Sequence, residues 1–338
     1  MNSPRMNLRR IGAVVVVMGL AVAACGKAAE VVAPRLAVRE AAQSTFEEHR
    51  GRFTLSLVGD EADLASLMQF SEEDRRVLDV LRTSKVVISV DSGDEANLDD
   101  DRFALDVSLG DVDHAIEFRM VNKTMYLRGD AAGLARLVEA RSGALPALVT
   151  GAQQAGFGFV ADFVAGKWIS LDLAPLESMA KGALEQEGGQ APDLGTAQLD
   201  RLLEAVSSTF GEDVDVKRLG QEDAGQHYRL TVPLRRVYER LAPVVGELFT
   251  VPGLDGPPDA GEIPDRSVTL DVWTGDGRIN RAELDLGQFA PEPPGGRVAL
   301  RVDIDGLDGD IKAPGDAVEV NVMEIFGQLM GGLGAIPS

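Results

Sequence analysis

Apolar and polar residues alternate in short runs along much of the chain, which is the pattern of β-strands with one buried face. Four such runs follow one another between residues 86 and 127, and the links between them are rich in Asp, Gly and Asn, which favour turns. Consecutive strands with short turns and one polar face predict an antiparallel meander. Further strands are predicted at 53–57, 167–173, 214–219, 226–232 and 298–304, with a hairpin at 268–286 that turns at Asp276 and Gly277.

Apolar residues three and four positions apart predict helices beside these strands. Asp130 is the predicted N-cap of one of them. The stretch 144–165 consists mostly of apolar and small residues and shows no clean hydrophobic period. We interpret it as a helix plus a mobile loop. The other predicted helices cover 36–49, 64–68, 72–82, 130–138, 196–210, 234–249 and 318–329. The two patterns together predict an α+β fold with a mainly antiparallel sheet.

The N-terminus has the three parts of a secretory signal peptide. A basic opening precedes an apolar run at 11–20, which leads through small residues to Cys25. The run is too short to span a bilayer, which needs about 20 apolar residues. Residues 22–25, VAAC, resemble the lipobox of bacterial lipoproteins, in which the cysteine receives a diacylglyceryl group and cleavage occurs just before it. The alternative is an ordinary signal peptide that happens to contain a cysteine.

Charge restricts the partners that this chain can have. The sequence carries a formal net charge of −21, and cleavage before Cys25 would remove three arginines and no acid, leaving −24. Such a surface repels nucleic acid and anionic head groups, so we expect no nucleic-acid partner and no basic-patch membrane binding. Attachment to a membrane would come from the lipid on Cys25, and two acyl chains suffice for stable anchoring. Cys25 is the only cysteine, so no disulfide can form within the chain.

Five stretches in this order resemble the LolA-like fold and, within it, the LppX/LprG group of actinobacterial lipoproteins. Apart from the lipobox, these stretches lie between about residue 41 and residue 314. No single stretch is diagnostic, but their order is fairly specific. They are the lipobox, the early helix leading into RFTLSL, the pair MYLRGD and GKWISLDL, the strands QHYRLTV and VTLDVWTGDGRINRAELDL, and the closing DIDGLDGDIKAP.

The resemblance implies a strongly curved antiparallel sheet, an unclosed half-barrel with helices on its concave face. It implies a signal peptide at 1–24, a lipidated cysteine and tether at 25–35, and a single domain over 36–338. This chain is longer than typical members, with the excess near 144–165, 185–195 and 251–264. Members of the group carry acylated lipids or lipoglycans in an apolar cavity and move them across the cell envelope. The expected location is therefore the extracytoplasmic side of the cell membrane, with a lipid or lipoglycan as the expected ligand.

The glycine- and phenylalanine-rich stretch 151–164 is the predicted lid or mouth of the cavity. An apolar position at helix or strand spacing is core more often than ligand wall, so the alternative for each candidate is that it fills the interior. The predicted lipid contacts are Phe157, Phe159, Val160, Phe163, Leu134, Leu137, Leu202 and Val206.

No catalytic or metal-binding motif emerges from the sequence. His49, His114 and His227 lie on different predicted elements, and none is at metal-ligand spacing with another His or Cys. The aspartates of 303–310 fail the EF-hand pattern, since Leu307 stands where a ligand is expected. We therefore predict a binding protein without a cofactor rather than an enzyme. The alternative is an envelope interaction or sensor module of the same fold that binds no lipid, and the filling of the interior discriminates the two.

Overall fold

The structure is a computed structural model that describes residues 33–68, 75–93, 101–139, 144–176, 178–179, 213–248, 260–290, 294–325 and 327. The signal peptide, Cys25, the 185–195 segment and the 196–210 helix with Leu202 and Val206 lie outside these residues. The described α-helices are α1 Ala33–Glu47, α2 Glu61–Met68, α3 Arg75–Thr83, α4 Ala131–Glu139, α5 Ala144–Gln154, α6 Phe159–Val164 and α7 Leu234–Leu248.

Twelve strands lie within the described part of the chain. They are β1 Arg50–Val58, β2 Lys85–Asp91, β3 Arg102–Leu109, β4 Val112–Val121, β5 Thr124–Gly129, β6 Ile169–Asp172, β7 Asp215–Glu222, β8 Gly225–Pro233, β9 Ser267–Gly275, β10 Arg278–Asp285, β11 Ala299–Asp305 and β12 Val318–Val320. Every strand predicted from alternation is present, so the α+β class with a mainly antiparallel sheet is confirmed.

The chain divides into two compact units. The first unit comprises Met1–Glu48 and Pro192–Gln288, and the second comprises His49–Ala191 and Phe289–Ser338. The single domain over 36–338 stays a prediction.

The sheet of the second unit contains eight strands in the order β12-β6-β5-β4-β3-β2-β1-β11. Its neighbours are antiparallel except β12 and β6, which are parallel. The predicted meander is β2 to β5, each strand pairing with the next along the chain. The sheet is open, as predicted, because its order starts and ends on different strands rather than returning to the first.

The sheet of the first unit contains β10-β9-β8-β7, all antiparallel. The turn between β9 and β10 has Asp276 at φ 52° and Gly277 at φ 76°, which is the left-handed backbone that the Asp-Gly pair predicts. Helices α1 and α7 pack on these strands. Among their apolar residues, Val38, Val237 and Leu241 are each at most 1% exposed.

Two segments differ from the sequence prediction. The stretch 144–165 forms two short helices, α5 and α6, where a helix and a loop were expected. Two short helices separated by a turn do not share one hydrophobic period, which is why no clean period is visible. The tail predicted as a helix from residue 318 starts as strand β12, which pairs in parallel with β6. A three-residue strand is too short to show alternation.

Candidate functional site

The strand register of the second unit brings its apolar residues onto one face of the sheet. Residues directly opposite each other in paired strands share a face, and so do residues two apart along a strand. The central row crosses seven strands, and a second and a third row flank it. The central row is Ile304, Phe53, Ile88, Leu105, Phe118, Leu127 and Ile169. The flanking rows are Val302, Leu55, Val86, Val107, Ile116 and Gly129, and Gly51, Val90, Phe103, Met120, Met125 and Leu171. We call these three rows the apolar face.

The apolar face is only half-buried. Among its members, Ile169, Leu171 and the two glycines are buried, and every other side chain keeps part of its surface exposed. At about 4.8 Å between strands, the central row spans about 29 Å, and the three rows cover about 13 Å along the strands. Contiguous exposed apolar patches of a few hundred Å² on a protein are often functional. The half-burial therefore makes this face the candidate site.

The apolar strand residues of the first unit are buried, in contrast to those of the apolar face in the second unit. Its apolar face is filled, with Leu230 at 1%, Leu270 at 4% and Val272 at 0% exposure. Leu230 is opposite Leu270 across β8 and β9, and Val272 is opposite Tyr228, so these side chains share one face as the rows of the second unit do. The strands of the two units thus have the same pattern of alternation but differ in how far their apolar side chains are buried.

Helix α4 begins at the β5 end of the apolar face. The Asp130 carboxylate caps it, as predicted, accepting hydrogen bonds from the backbone N–H groups of Ala132 and Gly133 at 2.9 Å each. A Cβ at Gly133 would lie 2.3 Å from the Cβ of Ala115, so this glycine permits the close contact between α4 and β4. The cap and the contact fix the direction in which Leu134 projects.

Leu134 and Phe163 meet over Gly129, the last residue of β5. A Cβ on Gly129 would lie 2.6 Å from Cζ of Phe163 and 2.9 Å from Cδ1 of Leu134. Gly129 pairs with Ile116, so its missing side chain would point to the apolar face. Two of the predicted lipid contacts are thereby placed at one end of this face.

Phe157 and Phe159 lie together at the corner between α5 and α6. Their ring centroids are 6.2 Å apart at an interplanar angle of 84°, an edge-to-face pair. Phe157, Phe159, Val160 and Phe163 are all half-buried, and no residue of α6 is fully buried. The side chain of Leu137 lies outside the described residues. That these residues contact a lipid stays a prediction.

The opposite, polar face of the second unit is held by ion pairs that the sequence did not reveal. Glu117 is 6% exposed and pairs with Arg119 and Arg128. Both guanidinium groups also lie over the ring of the buried Trp168, at 4.7 and 5.1 Å from its centroid. Arg119 donates a further hydrogen bond to the carbonyl of Lys312 at 3.0 Å. The charged side chains around Glu117 on the polar face are thus paired with one another.

Asp106, His114 and Glu117 on this polar face present donor atoms within 4.8 Å of one another. His114 Nδ1 is hydrogen-bonded to Asp106, and Glu117 is already paired with two arginines. The positive charge of those arginines opposes a cation at the same carboxylate. The chemistry of the group therefore fits an internal ion-pair network better than a metal centre.

Glu222 and Asp271, two carboxylates whose pKa is shifted from its ordinary value, lie next to His227 in the first unit. Its ring stacks on Trp273 with centroids 4.2 Å apart, and Nδ1 lies 2.8 Å from Oε1 of Glu222. Hydrogen bonds from the Trp273 indole and from His227 hold the pKa of Glu222 below its ordinary value. Burial raises the pKa of Asp271, but the hydrogen bonds and the charge of Arg229 outweigh burial, so the pKa is lowered. This cluster joins β7, β8 and β9.

None of the described helices is long and apolar enough to cross a membrane. No family model and no curated protein matches the chain. Among solved structures, the chain is similar to the crystal structure of the Mycobacterium tuberculosis lipoprotein LppX, with 11% sequence identity and a TM-score of 0.33. The similarity covers 83% of this chain and 98% of that chain. A likeness of this extent carries no information on function.

Proposed function

We propose that this protein is an exported lipoprotein that binds or transfers acylated lipids or lipoglycans, with acyl chains lying on the apolar face of the second unit. The observation that carries the proposal is the half-burial of three adjacent apolar rows, the central one crossing seven strands. Each buried CH2 group contributes about 0.8 kcal/mol, so a chain of about twelve methylenes gains about 10 kcal/mol before the costs of ordering. A bilayer buries the same methylenes with a similar gain, so the face can exchange an acyl chain with a membrane instead of releasing it into water.

The residues of the face suit acyl chains rather than a polar ligand. All side chains in the three rows are aliphatic, Met or Phe, and they offer no hydrogen-bond donor or acceptor to a ligand except the weak sulfur acceptors of Met120 and Met125. Binding would rest on removal of apolar surface from water, with the unbranched Met side chains adapting to chains of different shape. The head group would lie outside the face. The work of the site is binding rather than catalysis.

The lipidated Cys25 would keep the domain at the extracytoplasmic face of the cell membrane. A net charge of −24 on the mature chain repels anionic head groups, so the anchor rather than the surface supplies attachment. An anchored carrier stays close to the bilayer from which it takes or to which it delivers lipid.

The test is extraction of the purified protein with organic solvent, followed by mass spectrometry and by uptake of a fluorescent acyl probe into the delipidated protein. We expect a copurifying acylated lipid and saturable probe uptake. Leu105→Gln places an amide in the central row and should weaken uptake several-fold, whereas Thr54→Gln on the polar face serves as the matched control and should not. Absence of both lipid and uptake would favour the alternative, an envelope interaction or sensor module without a lipid ligand.

A further inference from the structure

The segment 142–161 contains no ionisable side chain over twenty consecutive residues, in a chain of which 26% is charged. It comprises α5, the corner after it and the first half of α6. In a protein with a net charge of −21, this is an unusual neutral surface. The charge that repels most of the molecule from a lipid head-group layer is absent here.

The corner between α5 and α6 has a defined geometry. Gly156 has φ 89°, its N–H donates to the carbonyl of Gln153, and the N–H of Phe157 donates to that of Ala152 at 2.8 Å. These two bonds form a Schellman motif, which ends α5 and fixes the position of the residue after the glycine. Phe157 is that residue, and its ring packs edge-to-face against Phe159.

The apolar side chains of this corner remain partly exposed. Phe157, Phe159 and Val160 are half-buried, and the neighbouring Gln153 and Gln154 are exposed but neutral. The first ionisable group after the segment is Asp162, and Lys167 Nζ lies 2.8 Å from its Oδ1. This pair cancels its own charge, so the neutral surface extends to the end of α6.

We propose that the α5–α6 corner inserts into the interfacial layer of a lipid bilayer, with Phe157 and Phe159 as the inserted side chains. The inference deepens the proposed function and rests on it, because Phe163 of the same helix packs on Gly129 at the end of the apolar face. A corner seated in the bilayer would place that end of the face next to the membrane. A lipid could then pass from the bilayer to the rows without crossing water.

Two observations favour a bilayer over a protein partner. Helices of eleven and six residues span only about 16 and 9 Å, which gives a patch well below the roughly 800 Å² per partner of a stable protein interface. The patch also offers no charge for specific pairing with a protein, and Phe side chains are of the kind that interfacial segments bury at the head-group boundary. The low charge fits zwitterionic lipid.

The experiment measures quenching of tryptophan fluorescence by brominated phosphatidylcholine in vesicles, using the full chain. The native Trp168 and Trp273 are 8% and 4% exposed, so the wild-type protein supplies a low background. Phe157→Trp should gain quenching at least twofold above wild type. The matched control is Leu219→Trp, an exposed apolar position of β7 in the first unit, at 41% exposure, which should gain none. Equal quenching of the two variants would overturn the proposal.

A second measurement separates this inference from the proposed function. In the mature chain without its acyl groups, Phe157→Ser with Phe159→Ser should lose binding to phosphatidylcholine vesicles. Leu105→Gln should lose uptake of an acyl probe delivered by cyclodextrin, yet still bind these vesicles, because the α5–α6 corner is unchanged. Vesicle binding retained by Phe157→Ser with Phe159→Ser would overturn the membrane-contact inference and leave the lipid-binding proposal standing. Quenching of Phe157→Trp without any probe uptake would support membrane contact and contradict the carrier.

Discussion

The ring of Phe163 lies directly on the backbone of Gly129, so closely that a Cβ there would come within 2.6 Å of the ring. Gly129 ends β5 and Phe163 lies in α6, so this contact joins the predicted lid segment to the apolar face. Leu134 of α4 occupies the other side of the same glycine. The absence of a side chain at one position thus brings two helices onto the sheet.

Gly129→Ala should displace Phe163 and Leu134 from the sheet. We expect a loss of about 1 kcal/mol in the free energy of unfolding, near the lower end of overpacking costs, since the ends of both side chains can move. Urea denaturation of the variant and the wild-type protein measures this loss in the free energy of unfolding. Gly315→Ala is the matched control, because nothing lies within 4 Å of the position where its Cβ would stand. Equal stability of the two variants would contradict the close contact.

Shortening an apolar side chain should lower the free energy of unfolding more in the first unit than on the apolar face of the second unit. Leu270→Ala removes a buried side chain and should lower the free energy of unfolding by about 2–5 kcal/mol. Leu105→Ala removes a half-buried side chain from the centre of the apolar face and should cost about 1 kcal/mol or less, since less surface returns to water. Chemical denaturation of the delipidated protein provides both values. If the two losses are the same, the face is covered and the proposed site fails.

The pH dependence of stability should report on Asp271. Its pKa is lowered in the folded protein, so the carboxylate stabilises the fold above its ordinary pKa of about 4, and this stabilisation is lost as the pH falls toward the lowered value. Asp271→Asn should be less stable than wild type by about 1–3 kcal/mol at pH 7, because it loses the charge-assisted bonds from Arg229 at 2.8 and 3.1 Å. The difference should shrink below pH 4. A difference that is constant from pH 7 to pH 2 would show that the carboxylate charge has no role.

Cys25 should determine how the protein partitions between detergent and water. The full chain expressed in a bacterium that processes lipoproteins should enter the detergent phase of Triton X-114. The chain from residue 26 onward, which lacks both the signal peptide and the acylated cysteine, should remain in the aqueous phase, because the diacylglyceryl group has no attachment point. Detergent partition of both forms would show that something other than the lipid on Cys25 supplies attachment.

Local sequence signals predicted the elements that depend on local physics. Alternation identified every described strand except β12, Asp276 and Gly277 identified a hairpin turn, and Asp130 identified a helix cap that the backbone hydrogen bonds confirm. The α+β class followed from these elements. Each of these features is determined by residues close to one another in the chain.

Features that depend on distant residues were not visible in the sequence. Leu105 and Leu270 stand in similar alternating strands, yet one is half-buried and the other is 4% exposed, because what covers a sheet comes from elsewhere in the chain. The contact of Phe163 with Gly129 and the pairing of Glu117 with Arg128 have the same origin. The lipid contacts assigned from composition stay a prediction for that reason.

The most direct measurement is photocrosslinking of the full chain with a fatty-acid probe that carries a diazirine within its acyl chain, followed by peptide mapping. We predict crosslinks on the half-buried rows of β1 to β5 and β11, centred on Leu105 and Phe118, and their loss when unlabelled lipid competes. Crosslinks confined to the first unit, or spread over the surface without competition, would contradict acyl-chain binding on the apolar face.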